Sequence, residues 1–223
     1  MAGEFDTLLC IMNRVQFLKN ALFVEGGLVV LGAGLAFFTG LWDEIRIEWT
    51  SMAVLAGVSW TIPLLLVYGV IDRFPVGGLR DVQDFLWNTF GPILRQMRWY
   101  DILLISILAG WGEELVFRGV LQTQVEHWGW PQPAVWLTTN LIFGLMHAVT
   151  PWYVVLAAIA GCYFSFLLDV TGERNLLVPI IVHALYDFVV LMYIARCVGR
   201  TPQPSTESNH QTIQVDDDAN GNS

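Results

Sequence analysis

The sequence predicts an all-α fold: a polytopic membrane bundle of about six transmembrane helices, with one or two interfacial amphipathic helices beside them. Three observations carry this expectation. Of 223 residues, 55% are hydrophobic and only 14% charged. With a mean hydropathy of +0.54, too little charge remains to cover a soluble domain of this length. Apolar runs close to the roughly 20 residues that cross a hydrocarbon core recur along the chain. The basic residues between them fall mainly on alternate loops.

Residues 1–20 mix Leu8, Leu9, Ile11, Val15 and Phe17 with Arg14 and Lys19, which fits either a short interfacial segment or a frayed leader. The first span is expected from about Ala21 to Leu41, with Glu25 near its start, and the second from about Met52 to Ile71, with Pro63 tolerated as a kink. Across residues 72–100, Leu79, Val82, Leu86, Phe90, Ile93 and Met97 recur at steps of three and four among Arg80, Asp84, Arg95 and Arg98. That is the pattern of a surface helix, broken near Gly91-Pro92. The remaining spans are expected at about Asp101–Gln122, Pro133–Val149, Trp152–Val170 and Leu176–Ala195. The chain thus divides into an N-terminal segment (1–20), a membrane-embedded catalytic-type helical domain (21–200) and a polar tail (201–223) too poor in apolar residues to fold alone.

Orientation follows from counting cations. With the N-terminus in the cytoplasm, Arg14, Lys19, Arg73, Arg80, Arg95, Arg98, Arg196 and Arg200 all lie inside, and only Arg46 and Arg174 outside. This predicts a multi-pass protein of the cell (inner) membrane with both termini cytoplasmic. The formal charge of −9 contains no basic patch of the kind that binds nucleic acid. Cys10, Cys162 and Cys197 are odd in number and show no metal-type spacing.

Ionisable residues inside spans are costly and mark functional sites by default. The third span carries Glu113, Glu114 and Arg118 within Gly110-Trp-Gly-Glu-Glu-Leu-Val-Phe-Arg-Gly119. Glu114 and Arg118 are four apart, on one helical face with the acid first, which is the spacing of a structural ion pair. Glu113, about 100° round the helix, points elsewhere and is left without that partner. His147 ends the fourth span, and His183 and Asp187 share a face of the sixth. Each also has a purely structural reading, as an interhelical hydrogen bond or a mutually satisfied pair. Bringing all three groups to one central site satisfies their charges most simply.

Taken in order, Glu-Glu-x-x-x-Arg at 113–118, Phe-x-x-x-His at 143–147 and His-x-x-x-Asp at 183–187 resemble the three signature motifs of the CAAX-protease and bacteriocin-processing (abortive-infection) family, bacterial relatives of the Ras-converting CAAX endopeptidase. Gly161, Thr171-Gly172, Leu176 and Pro179-Ile180-Ile181 extend the resemblance, which covers roughly residues 100–190. It implies a glutamate-dependent intramembrane endopeptidase without metal or other cofactor. In that picture Glu113 and His147 activate a water, His183 and Asp187 steady the oxyanion, and Glu114 and Arg118 support them. Asp187 stands where members often have Asn: an ionised Asp cannot donate to an oxyanion, but it can hold His183 protonated, and a protonated Asp187 can itself donate. The implied partners are a peptide or protein substrate, with or without a lipidated or membrane-embedded C-terminal region, and the bilayer.

Two other functions fit the same residues: a zinc protease using His147, His183 and Glu113 or Asp187, although no His-Glu-x-x-His segment occurs, and a non-catalytic binding protein or ion pathway. Measured along straight rods, Glu113 lies about 18 Å from the cytoplasmic end of its span. His147 falls near that same end and His183 nearer the other. Convergence therefore predicts broken helices, with irregularity at Gly110–Gly112 and a cavity open towards the cytoplasmic side.

Overall fold

Residues 13–197 are described in a computed structural model; the expectations for 1–12 and for the polar tail lie outside the described residues. The structure is helical throughout this range. α1 (Arg14–Thr39) and α2 (Ser51–Arg73) are followed by the short α3 (Leu79–Asp84), a π-helical segment π1 (Phe85–Phe90) and α4 (Gly91–Leu94). The central rod is α5 (Trp99–Glu114), running without a break through the π-helical π2 (Leu115–Gln122) into α6 (Thr123–His127). α7 (Gln132–Met146), α8 (Pro151–Leu167) and α9 (Leu177–Cys197) complete it.

Local chemistry sets the ends of these elements. The Asn13 side chain accepts from Gln16 N–H at 3.0 Å, so α1 starts seven residues before the expected span and absorbs part of the leader. Gly40, at φ 75°, ends it in the left-handed cap that glycine adopts without strain. The surface segment bends as expected, but its break is the π1 stretch ahead of Gly91-Pro92. Of the periodic set, Val82, Ile93 and Met97 are buried beneath it and Leu79, Leu86 and Phe90 partly so; Leu94, outside that set, is buried as well.

Among the described residues, three helices are long and apolar enough to cross a membrane: α1, α2 and α9. In α9, 44% of the apolar window is buried, against 11% in α1 and α2, so α9 is an interior helix and the other two are peripheral. Their outward faces expose Phe23, Val30, Phe38, Leu55 and Leu66, the composition of a lipid-facing surface. The rod α5–π2 lies between α1 and α9, α2 packs on α9, and α1 runs parallel to the rod. At one end Arg14 holds Asp101 through two bonds of 2.7 and 2.8 Å.

Glycines bring these rods into contact. A Cβ on Gly112 would lie 2.9 Å from the Glu25 carbonyl of α1, and one on Gly110 would lie 2.9 Å from both Ala184 N and Ile180 O of α9. The irregularity expected at Gly110–Gly112 is therefore absent there: these glycines sit in regular α-helix as close-packing contacts, and the irregular turn is π2, which begins just after Glu114. Backbone cannot move aside as a flexible side chain can. Gly110→Ala is thus expected to destabilise the protein by about 1–3 kcal/mol, measured by denaturant unfolding in detergent micelles, and to displace α9 from α5.

α7 and α8 form a hairpin at Gly144, where a Cβ would lie 2.5 Å from the Val154 carbonyl. Thr150 caps α8 through Tyr153 N–H at 3.1 Å, with Pro151 in the first turn, where its missing N–H costs nothing. At 15 and 17 residues, these helices reach about 22 and 26 Å, short of the roughly 30 Å of a hydrocarbon core. They turn back on one another around His147, with Trp152 at the tip packed against Gly78 beside α3. The expected fourth and fifth spans are this hairpin.

The loops at the end of the bundle that carries α6 are tied together by polar contacts. Asn175, 5% exposed, accepts from Glu48 N–H and Leu177 N–H and donates to the Glu48 carbonyl at 2.8 Å. Arg174 grips Glu126 with bonds of 2.6 and 3.0 Å. Burial pushes the Glu126 carboxyl up, but the hydrogen bonds from Arg174 and Gln122 and the charge of Arg174 outweigh it and hold the group below the ordinary carboxylate range. The pair therefore stabilises the fold fully above the ordinary range, and this contribution is lost as the pH falls through the depressed folded value. Below about pH 4, hydrogen exchange is expected to accelerate in residues 123–131 and 171–176. Arg174→Gln is expected to do the same at neutral pH.

Candidate active site

The structure brings all six residues singled out by the sequence into one cluster, at the level where the hairpin tip meets the central rod. Glu114, fully buried, accepts at a single oxygen, Oε1, from both Arg118 Nη1 at 3.0 Å and His183 Nδ1 at 2.8 Å. The ion pair expected from helical spacing is present, and the same carboxylate also orients a histidine 69 positions away.

Arg118 is 1% exposed and its guanidinium is almost fully engaged. Nη2 donates to Asn140 Oδ1 at 3.1 Å and to the Gly161 carbonyl at 3.0 Å. The Phe143 and Phe164 rings lie 4.4 and 5.2 Å from its central carbon, a desolvated cation–π arrangement. Gly161 is required here, because a Cβ would lie 2.7 Å from Asn140 Oδ1. The guanidinium thereby ties π2 to both arms of the hairpin. Its anchor Asn140 was not anticipated. Asn140 is 1% exposed and donates to the Trp136 carbonyl at 2.8 Å and to Ser165 Oγ at 2.9 Å. An amide within the apolar run 134–146 was the available signal.

Glu113 is 8% exposed, and among the described residues its Oε2 has no hydrogen-bond donor. That oxygen faces His147 Nε2 at 3.5 Å and His183 Nε2 at 4.0 Å. His147 Nδ1 lies 2.8 Å from the Phe143 carbonyl, which can only accept, so Nδ1 carries a proton and Nε2 is the nitrogen turned towards Glu113. His183 is held flat against the Phe164 ring, with centroids 4.8 Å apart and planes at 7°. Its Nε2 also lies 3.6 Å from Asp187 Oδ2. Two imidazoles on different elements thus converge on one unpartnered carboxylate oxygen.

The straight-rod argument placed His147 near one membrane face. The hairpin removes that difficulty. From Gln132, α7 descends about 22 Å to His147, and from His127 back along the rod Glu113 lies about 21 Å down, so the two residues meet at the same depth. A cavity of about 350 Å³ opens over them between α2, α8 and α9. Pro63, Val67, Leu156 and Tyr163 form part of its apolar wall, while Glu113, His147, His183 and Asp187 gather on its polar side. Tyr163 donates to the Trp60 carbonyl at 2.6 Å, one turn before Pro63, and so braces that wall.

Residues 95–189 match the profile of the family described as type II CAAX prenyl endopeptidase, Rce1-like. Among curated relatives, the uncharacterized protein YpbD of Bacillus subtilis is 29% identical over 172 residues, covering 70% of this chain and 78% of that protein. The major facilitator superfamily multidrug transporter mfsC of Aspergillus fumigatus is 28% identical over 184 residues, covering 80% of this chain but only 31% of the transporter. No solved structure matches the chain.

Proposed function

Because residues 95–189 match the Rce1-like family of type II CAAX prenyl endopeptidases, we propose that the chain is a glutamate-type intramembrane endopeptidase with Glu113 as its general base. One observation carries this reading: the unpartnered Oε2 of Glu113 faces Nε2 of both His147 and His183 at the polar side of an apolar cavity. The 3.5 Å separation from His147 is longer than a good hydrogen bond but too short to hold a water between the two groups; in this reading the water lies beside them, in the cavity, within reach of both.

In the proposed step Glu113 Oε2 takes a proton from that water. The hydroxide oxygen bonds to the scissile carbonyl carbon, and the C=O electron pair moves onto oxygen. His183, whose Nδ1–H is committed to Glu114, donates an Nε2–H to the oxyanion; Asp187 at 3.6 Å braces that imidazolium rather than donating itself. Collapse of the intermediate re-forms the carbonyl and breaks the C–N bond. The proton held by Glu113 passes through His147 Nε2 to the leaving amine. Glu114 and Arg118 hold the geometry.

The substrate in this reading is a peptide or membrane-protein segment whose apolar part, lipidated or not, lies in the cavity of about 350 Å³. The distribution of cations favours the cell (inner) membrane, with both termini and the Arg14–Asp101 end in the cytoplasm. Hydrolysis in this reading is expected to survive chelation, whereas loss of activity with a chelator and its recovery on adding zinc would favour the zinc alternative. The test is a panel of prenylated and unprenylated peptides incubated in ¹⁸O-water with the protein in nanodiscs. Wild type is expected to release fragments with one ¹⁸O in the new carboxyl, and Glu113→Gln none. Equal cleavage by both proteins would sink the reading, and a Glu113→Ala protein with full biological effect would favour a binding role instead.

A further inference from the structure

One intramembrane carboxylate takes no part in this chemistry. Glu25 lies on α1 where Gly112 packs against its carbonyl, one residue from Glu113. Its Oε2 is buried and, among the described residues, has no hydrogen-bond partner. The charges of Glu113 and Asp187 act against it, and those of His183 and His147 in its favour. An isolated carboxylate oxygen at this depth is expensive unless a ligand relieves it.

Glu25 opens onto a second cavity, of about 1050 Å³, which shares Glu113, His147, Tyr153 and Asp187 with the apolar one. Its charged lining is Glu25, Asp81, Asp84, Glu113 and Asp187, with no Lys or Arg. Glu113, 8% exposed, also borders this space. The nearby cationic groups are engaged: Arg14 with Asp101, Arg118 with Glu114, and the His183 imidazolium with Glu114 and Asp187, while His147 Nε2 faces Glu113. Asp81 and Asp84, exposed on α3, stand at the mouth. The charge pattern therefore runs from an acidic mouth to a buried acidic interior, the arrangement that draws in and desolvates a cation.

We propose that this cavity is a cation-accepting subsite, in which Glu25 receives the Lys or Arg side chain of a substrate peptide next to the scissile bond. The proposal rests on the protease reading for the identity of its ligand and deepens it by naming a specificity. A basic side chain beside the bond relieves the repulsion among the carboxylates. An acidic side chain, or a free C-terminal carboxylate lodged in the same space, adds to it.

The test separates binding from turnover. Three apolar peptides, capped at both ends and differing only in a central Lys, Gln or Glu, are titrated by fluorescence anisotropy against the full chain in neutral-lipid nanodiscs. Turnover is stopped by Glu113→Gln, and empty nanodiscs correct for partition into lipid. The Lys peptide is expected to bind at least about tenfold more tightly than the Glu peptide, a preference that shrinks as salt is raised. Adding Glu25→Gln, which keeps the side-chain shape, is expected to bring the peptides within about twofold of one another. Asp84→Asn, on the exposed α3, is expected to weaken the preference partially and serves if the interior variant fails to fold. Equal binding of the three peptides, or a Lys preference untouched by both substitutions, overturns the proposal. A Lys preference with no cleavage of any peptide by wild type keeps the subsite and removes the protease. Cleavage with no charge preference does the reverse.

Discussion

Arg118→Ala is expected to destabilise the protein by about 3–5 kcal/mol, the largest effect of any single substitution in the cluster. The reason lies in what is left behind. Glu114 is fully buried and would keep only His183 as a partner, while Asn140 Oδ1 and the Gly161 carbonyl would each lose a donor. Two aromatic faces would also lose the cation between them. Arg118→Lys rescues little, because an ammonium cannot reach two helices and a carboxylate in one plane as the guanidinium fork does. Denaturant unfolding in detergent micelles measures the difference. A loss below about 1 kcal/mol, the size of a surface ion pair, would contradict the assignment of Arg118 as the tie between π2 and the hairpin.

His147→Ala is expected to lower kcat/KM for peptide hydrolysis by about 10²–10⁴-fold, the range for removing a general acid–base partner, with little change in unfolding midpoint. Its side chain is 26% exposed and bonds only to a carbonyl of its own helix and, loosely, to Glu113, so the fold does not depend on it. His183 differs. Its ring is stacked on Phe164 and bonded to Glu114, so His183→Ala is expected to reduce stability as well as activity. Measuring rate and midpoint together for both variants distinguishes the two roles.

Helical spacing was enough to foresee the Glu114–Arg118 pair and the exclusion of Glu113 from it, because both are properties of one turn of one helix. The meeting of three distant motifs could be inferred only from the cost of leaving each charge unpaired. How they meet was hidden. Treating each apolar run as a straight span puts His147 and Glu113 at different depths, and only the interruption at His147–Pro151 marks how short the two helices in residues 133–170 are. Gly110 and Gly112 were read as a break, since a sequence does not distinguish a glycine that bends a helix from one that admits a neighbouring backbone at 2.9 Å. Asn140 escaped notice for a related reason: its role depends on Arg118, 22 positions away, and on Ser165 of the next helix. Glu25 was visible in the first span, but its depth beside Glu113 depends on how α1 packs at Gly112.

The division of labour between adjacent carboxylates is the central claim, and one paired measurement decides it. Glu113→Gln and Glu114→Gln are isosteric and neighbouring, so peptide hydrolysis in nanodiscs and the unfolding midpoint of each variant report on charge rather than shape. Glu113→Gln is expected to abolish hydrolysis while leaving the midpoint close to wild type. Glu114→Gln is expected to lower the midpoint sharply, because it strips the buried partner from both Arg118 and His183. The opposite pattern, with Glu113→Gln unstable but active and Glu114→Gln stable but inactive, would contradict it.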